Sequence, residues 1–165
     1  MKRRAVLTSL TGVAMASAAT LPQTRPLLIV SGRIGRINNR LANTYDFSEG
    51  AFLSLPPTSI KTATPWTATS VFVGPLLTIV MREAGVSSGT LNIKSLDGYS
   101  TPIPWPDLER YGVILAHSQN GKRLSIKRWG PLWTIYPRDQ YPGLLSGPLA
   151  ESRFIWQVKK IEVSQ

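Results

Sequence analysis

Turn-forming residues recur so densely along this chain that long helices are excluded. Pro56-Pro57, Gly85, Asp97-Gly98, Asn120-Gly121 and Gly130-Pro131 break the apolar segments at short intervals, and thirteen glycines and thirteen prolines share 165 residues. That spacing favours many short strands joined by turns. With 42% apolar residues, the chain can close one core. It contains no cysteine, which excludes disulfides, thiolate chemistry and thiolate metal ligands.

Periodicity fills in the layout. Leu27 to Ile34 is β-rich, Tyr45-Asp46-Phe47 alternates, and Ser48 caps a short helix running to about Leu55, which Pro56-Pro57 ends. Strands are expected at 60–64 and 71–73, and the clearest helix runs from Pro75 to Ala84, closed by Gly85. A hairpin of 90–96 with 100–103 turns at Asp97-Gly98, and a short helix covers 106–110. A second hairpin, 112–117 with 123–126, turns at Asn120-Gly121. Leu132 to Tyr136 is a strand, and Phe154 to Val163 another, with a bulge at Lys159-Lys160 where the alternation changes phase. The fold class is α+β: a single β-rich domain with short covering helices.

Lys2-Arg3-Arg4, the mildly apolar run Ala5 to Ala14 and the small residues Ala16-Ser17-Ala18 have the pattern of a cleaved export signal over residues 1–18. Residues 19–26 then form a mature tail and 27–165 the domain. The expected location is the periplasm, by the general secretory or the twin-arginine route. Of the net +10, the mature chain keeps sixteen basic against nine acidic residues. Arg33, Arg36 and Arg40 are the densest basic group, read as a solvated face. An exported chain is not expected to meet nucleic acid, so the next reading is an anionic small ligand or an acidic partner face.

The inventory for catalysis is thin. His117 is the single histidine, no carboxylate pair stands out, and no G-x-S-x-G or HExxH motif occurs. Aromatic residues are richer: Trp66, Tyr99, Trp105, Trp129, Trp133, Tyr136 and Tyr141 fall at strand ends or in loops. Most are expected to pack the core. Together with Thr62, Thr64, Asp97, Lys127 and Arg128, they suit a pocket in which aromatic faces stack on a flat heterocycle and polar groups meet its edge. Trp156, between apolar neighbours on the last strand, is read as structural. The segment "TATPW" at 62–66, a tryptophan among threonines and a proline, suits neither a core strand nor a solvent loop.

The order "FVGPLLTIVMREAG", "LDGYSTPIP", "VILAHSQNGKRL", "GPLWTIYP" and "IWQVKKIEV" resembles the sulfite-oxidase-type molybdopterin-binding domain over residues 27–163. The resemblance implies that fold, with a pterin lying near the "DGYS" turn and the Gly130-Pro131 loop. Enzymes of the family carry a molybdenum-binding cysteine in the segment that here reads "TATPWTATSVF". They carry an arginine at the position of Trp133 and a lysine at that of Ile155, which hold the cofactor's anionic tail. Thr64 offers no soft donor in place of the cysteine.

More narrowly, the chain is similar to small cysteine-free periplasmic members that bind a reduced pterin, such as a tetrahydropterin, without molybdenum. Those members regulate an inner-membrane diguanylate cyclase/phosphodiesterase through its periplasmic domain. This implies a non-enzymatic sensor whose ligand contacts Thr62, Thr64, Trp66, Asp97, Tyr99, Arg128, Trp129, Gly130 and Trp133. The ring would stack on Trp66 or Trp129, and its amino-pyrimidinone edge would meet Asp97. Tyr99 and Arg128 would frame the mouth. A molybdopterin-dependent oxidoreductase subunit, and an inert adaptor with Trp133 and Ile155 filling the pocket, are the alternatives.

Overall fold

The computed structural model describes residues 25–165. The export signal expected at 1–18, and the tail as far as residue 24, lie outside the described residues.

Strand β1 (Leu28–Gly32) pairs with β2 (Tyr45–Phe47), and helix α1 (Glu49–Leu53) follows. The Ser48 side chain accepts the Ala51 N–H, as the cap expected there requires. Strands β3 (Pro57–Thr64) and β4 (Thr67–Pro75) form one long hairpin, and α2 (Leu77–Glu83) buries Leu77, Thr78, Val80 and Met81. Then come β5 (Thr90–Ser95), β6 (Ser100–Pro104) and α3 (Trp105–Tyr111). Short strands β7 (Ile114–Ala116), β8 (Ser118–Gln119), β9 (Lys122–Arg123) and β10 (Trp133–Ile135) precede a 3-10 turn at Arg138–Gln140. Helix α4 (Pro148–Glu151) and β11 (Val158–Ser164) complete the chain.

Three sheets result. The largest has the order β2-β1-β11-β5-β6, with β1 and β11 parallel and its other pairs antiparallel. Alternate residues Leu28 and Val30, Leu91 and Ile93, and Ile161 and Val163 are buried, the period-2 signature of strands with one face on a core. The second sheet is β3-β4-β8-β9 and the third is β10-β7. The second and third meet at Gly74, where a Cβ would lie 2.2 Å from the Leu115 carbonyl oxygen. Only glycine allows that approach of β4 to β7.

Several boundaries differ from expectation. The Asn120-Gly121 turn is present, with both residues at positive φ. Its arms are only β8 and β9, and 112–117 does not pair with 123–126. Instead β7 pairs with β10, because Ile114, Leu115 and Ala116, like Trp133, Thr134 and Ile135, are all buried and need an interior neighbour. Pro75 ends β4 opposite Pro57 rather than opening α2, and Pro57 begins β3. The last strand starts at Val158, not Phe154, since Gln157 has φ 53°. The bulge falls between Val158 and Lys160, where the change of phase puts it. Arg33, Arg36 and Arg40 are exposed, with Arg36 3.8 Å from Glu83.

Candidate functional site

The segment 62–66 is the tip of the β3–β4 hairpin. Thr64 Oγ1 accepts the N–H groups of Trp66 (3.2 Å) and Thr67 (3.0 Å) and lies 2.9 Å from Thr67 Oγ1. A threonine hydroxyl thus organises the turn, and Pro65 and Trp66 form its apex. Thr62 is fully buried and its hydroxyl accepts the Asp139 N–H at 3.1 Å. The Asp139 carboxylate in return accepts the Ala63 N–H (2.9 Å) and the Thr69 hydroxyl (3.2 Å). The polar residues of this stretch therefore hold the hairpin rigidly, and Trp66 is what it presents, 44% exposed.

Trp66 stands over a cavity of about 330 Å³. Its ring meets Trp156 edge to face at 4.4 Å and 84°. The β5–β6 turn supplies Ser95, Asp97 and Tyr99, and the segment after α4 supplies Ser152, Phe154 and Ile155, with Glu151 at the helix end. Asp97 Oδ1 accepts the Ser95 hydroxyl and the Tyr99 N–H, the latter at 3.1 Å. The Ser95 hydroxyl first, then the Tyr99 amide, hold its carboxyl below the usual carboxylate range. Its second oxygen has no protein partner among the described residues. Glu151 is engaged by Arg138 at 3.0 Å, so Asp97 is the uncompensated charge on this wall.

The floor is fixed by hydrogen bonds that run behind and beneath its lining residues. Thr134 is fully buried; its hydroxyl donates to the Arg153 carbonyl (2.6 Å) and accepts the Ile155 N–H (2.7 Å). The Tyr99 hydroxyl donates to the Ser152 carbonyl at 3.3 Å. Arg153 donates to Asp107 at 2.5 Å, and Tyr136 donates to the same oxygen at 3.3 Å. Burial, reinforced by Asp107, pushes the Tyr136 phenol far above its ordinary range, so it stays a donor.

Beyond Trp66 lies a second, more open cavity of about 740 Å³, lined by Gln119, Asn120, Lys122, Arg123, Ser125, Arg128 and Trp129 among others. Trp129 stacks on Trp133 at 4.7 Å and 22° and meets Trp156 edge to face at 5.4 Å. Four indoles thus run from the exposed hairpin tip to the buried Trp133, which ends against Phe72 at 5.4 Å.

The expected site residues divide accordingly. Trp66, Asp97 and Tyr99 come together at the first cavity, and Trp66, Arg128 and Trp129 at the second. Thr62, Thr64, Gly130 and Trp133 line neither. The two threonines spend their hydroxyls on the hairpin. At Gly130 a Cβ would sit 2.4 Å from the Leu124 carbonyl oxygen, so its role is close backbone packing. Trp133 is fully buried and donates its indole N–H to the Phe154 carbonyl at 3.2 Å. Trp156, read as structural, packs against the core, and it also walls the first cavity. Phe154, Ile155 and Trp156 were hidden by reading them as a regular strand. Trp105, with its N–H on Glu109, and His117, beside Ser118, line neither cavity.

A model of the family described as oxidoreductase molybdopterin binding domain matches residues 48–141, from the cap of α1 to the end of the 3-10 turn. No curated protein matches. Among solved structures, the sulfane dehydrogenase SoxCD from Paracoccus pantotrophus superposes with a TM-score of 0.60 at 15% identity, covering 82% of this chain and 37% of that chain. The chain thus spans little more than a third of that protein's length, and the likeness is one of fold. The matched residues are more than half of the chain and include both arms of the hairpin that carries Trp66, and the motif order had pointed the same way. The chain belongs to the oxidoreductase molybdopterin-binding domain family.

Proposed function

We propose that this domain is a non-catalytic sensor of a reduced pterin, acting in the periplasm on a membrane-bound cyclic di-GMP enzyme. The observation that carries the reading is the first cavity, with Trp66 and Trp156 as aromatic walls and Asp97 as its one free charge. Its volume falls in the range of about 300–1,000 Å³ usual for small-molecule sites. A pterin's guanidine-like edge donates two hydrogens side by side. A carboxylate held ionised, with one oxygen free, accepts from that edge in a charge-assisted contact.

The whole molybdenum cofactor fits these residues poorly. The chain has no thiolate to offer the metal, and among the described residues no cluster of three histidine or carboxylate side chains could hold one. The positions where the resemblance places basic residues for the cofactor's anionic tail hold Trp133 and Ile155, both buried and apolar. No reaction step is therefore assigned through it. Regulation would follow from the ligand drawing together three elements, the hairpin tip, the β5–β6 turn and the segment 151–156. A partner that reads this composite surface responds only to the difference in affinity between its two states.

One observation favours the adaptor reading: Trp133 and Ile155, at the positions where the resemblance places basic residues, are both buried and apolar. Anaerobic titration of residues 19–165 with tetrahydrobiopterin, followed by heat and tryptophan fluorescence, separates the two. Saturable one-to-one binding without metal supports the sensor. A folded sample that binds nothing supports the adaptor.

Two substitutions probe the site. Trp66→Ala should weaken pterin binding by at least about tenfold, given the worth of an aromatic contact, while leaving the urea midpoint nearly unchanged. Unchanged affinity would remove Trp66 from the ligand. Asp97→Asn should weaken binding comparably, and the pH profile gives a sign to check. The folded carboxyl titrates below its unfolded value, so its contribution is full above the usual carboxylate range and lost as pH falls through the folded value. The affinity difference between wild type and Asp97→Asn should stay constant from about pH 8 to about pH 5 and shrink only in stronger acid. A difference that disappears near neutral pH would contradict the role given to Asp97.

A further inference from the structure

The connection between β1 and β2, residues 33–44, carries arginines and apolar residues and no acidic residue. Arg33, Arg36 and Arg40 are exposed. Ile37 stands between the last two at 44% exposure, and Leu41, next to Arg40, is completely exposed. Arg36 lies 3.8 Å from Glu83, a long bridge between exposed side chains that contributes little. Arg33 and Arg40 have no carboxylate partner among the described residues.

This connection is braced at both ends. The Gly35 and Arg36 N–H groups donate to the Ala84 carbonyl, each at 3.0 Å. A Cβ on Gly35 would lie 2.8 Å from the Gly85 carbonyl oxygen, so the first half is pressed against the end of α2. In the second half Asn39 and Thr44 exchange backbone hydrogen bonds of 3.0 and 3.1 Å. Asp46 is spent on the same turn: its carboxylate accepts the Asn39 side-chain amide at 2.8 Å and the Thr44 hydroxyl at 2.7 Å. The turn so fixed holds Leu41 out in water. Single exposed apolar residues are common; this one is held rigidly beside unpaired guanidinium groups.

At a lipid boundary, apolar side chains enter the acyl region while cations meet the anionic headgroups above it. Guanidinium forks also match phosphate oxygens in two-point contacts. An acidic protein face would satisfy the arginines and leave Leu41 among charges, whereas a lipid surface takes both.

We infer that residues 33–44 form a membrane-contact surface, in which Arg33, Arg36 and Arg40 bind anionic lipid headgroups and Leu41 inserts just beneath them with Ile37 beside it. None of these residues lines either cavity, so the inference stands apart from the pterin reading.

Vesicle sedimentation of residues 19–165 tests it. Binding to phosphatidylcholine vesicles containing about 30% phosphatidylglycerol should exceed binding to pure phosphatidylcholine at least about tenfold, and should fall at about 0.5 M salt. Arg33→Gln, Arg36→Gln and Arg40→Gln combined should weaken it at least about tenfold, at roughly fivefold for each cation near an anionic surface. Lys61→Gln, Lys122→Gln and Lys127→Gln combined remove the same charge from exposed positions elsewhere, and should change binding by less than about threefold. Leu41→Ser should weaken it about fivefold. Because the chain has no cysteine, Leu41→Cys takes a single nitrobenzoxadiazole label, whose emission should rise and shift to the blue on the phosphatidylglycerol vesicles. Every substituted position is exposed, and a circular dichroism melt checks that each variant folds. No binding by the folded protein would overturn the inference and leave the arginines to solvent or an acidic protein partner. Equal losses from the two triple substitutions would mean that net charge alone drives adsorption. Arginine-dependent binding with a silent label at residue 41 would mean contact without insertion, and either result overturns the assignment of this surface.

Discussion

Trp133→Ala is expected to cost the domain about 3–5 kcal/mol, the usual range for deleting a fully buried large aromatic side chain. The indole is shut away from solvent, stacked on Trp129 on one side and edge-on to Phe72 on the other, and bonded to the Phe154 carbonyl. Its removal opens a hole among rigid β-strands that cannot collapse to fill it, and leaves a buried carbonyl short of a donor. Urea unfolding should show a large fall in midpoint with little change in slope. A loss below about 1 kcal/mol would mean that Trp129 swings inward to replace it, and the indole row would then be a loose cluster. Trp133→Arg, which installs the residue that the resemblance expects of the enzymes, should destabilise at least as much. It buries a guanidinium between Phe72 and Trp129 with no carboxylate against it.

Asp107→Ala should cost about 3 kcal/mol and also weaken ligand binding, because one carboxylate fastens the cavity's floor to α3. The Asp107–Arg153 pair is 2.5 Å long, and its side chains are only 16% and 20% exposed. The Tyr136 hydroxyl donates to the same oxygen. Removing the carboxylate strands a largely buried guanidinium, whose Nε already lacks a partner, and a partner lost in this way costs far more than a surface bridge. Arg153 immediately precedes Phe154 and Ile155, so the disturbance reaches the first cavity directly. The double change Asp107→Leu with Arg153→Met should recover most of the stability, since apolar residues of similar volume avoid the desolvation of both charges. If the single change costs less than about 1 kcal/mol, the pair behaves as an exposed one and the floor is held by Thr134 alone.

Much of the fold is legible in the chain because its signals are local. Ser48 caps α1 wherever the helix packs, and Asn120-Gly121 turns with both residues at positive φ regardless of the strands it joins. The bulge before Lys160 follows from the change of phase within one strand. Pairing was less legible. The apolar run 113–116 and the run 132–136 read as strands, yet nothing local says that they pair with each other; that follows from both being buried.

The site separates along the same line. Residue chemistry singled out Trp66, Asp97 and Tyr99 from their types, their turns and the family resemblance, and the structure gathers all three around one cavity. Thr62 and Thr64 looked equally available, but the Thr64 hydroxyl is taken by the N–H groups of Trp66 and Thr67 within its own turn, and that of Thr62 by the Asp139 N–H, a demand visible only when residues 62 and 139 are in contact. Trp156 looked structural because its neighbours are apolar, and the irregular backbone before β11 turns it to the cavity. The sequence by itself determined a β-rich domain of this family, lacking any thiolate and carrying an excess of cations. Only tertiary structure decided which indoles are wall and which are core, and that Asp97 and Arg128 lie on opposite sides of Trp66. Local propensity acts within a few residues, whereas burial and the satisfaction of polar groups are settled between segments far apart in the chain.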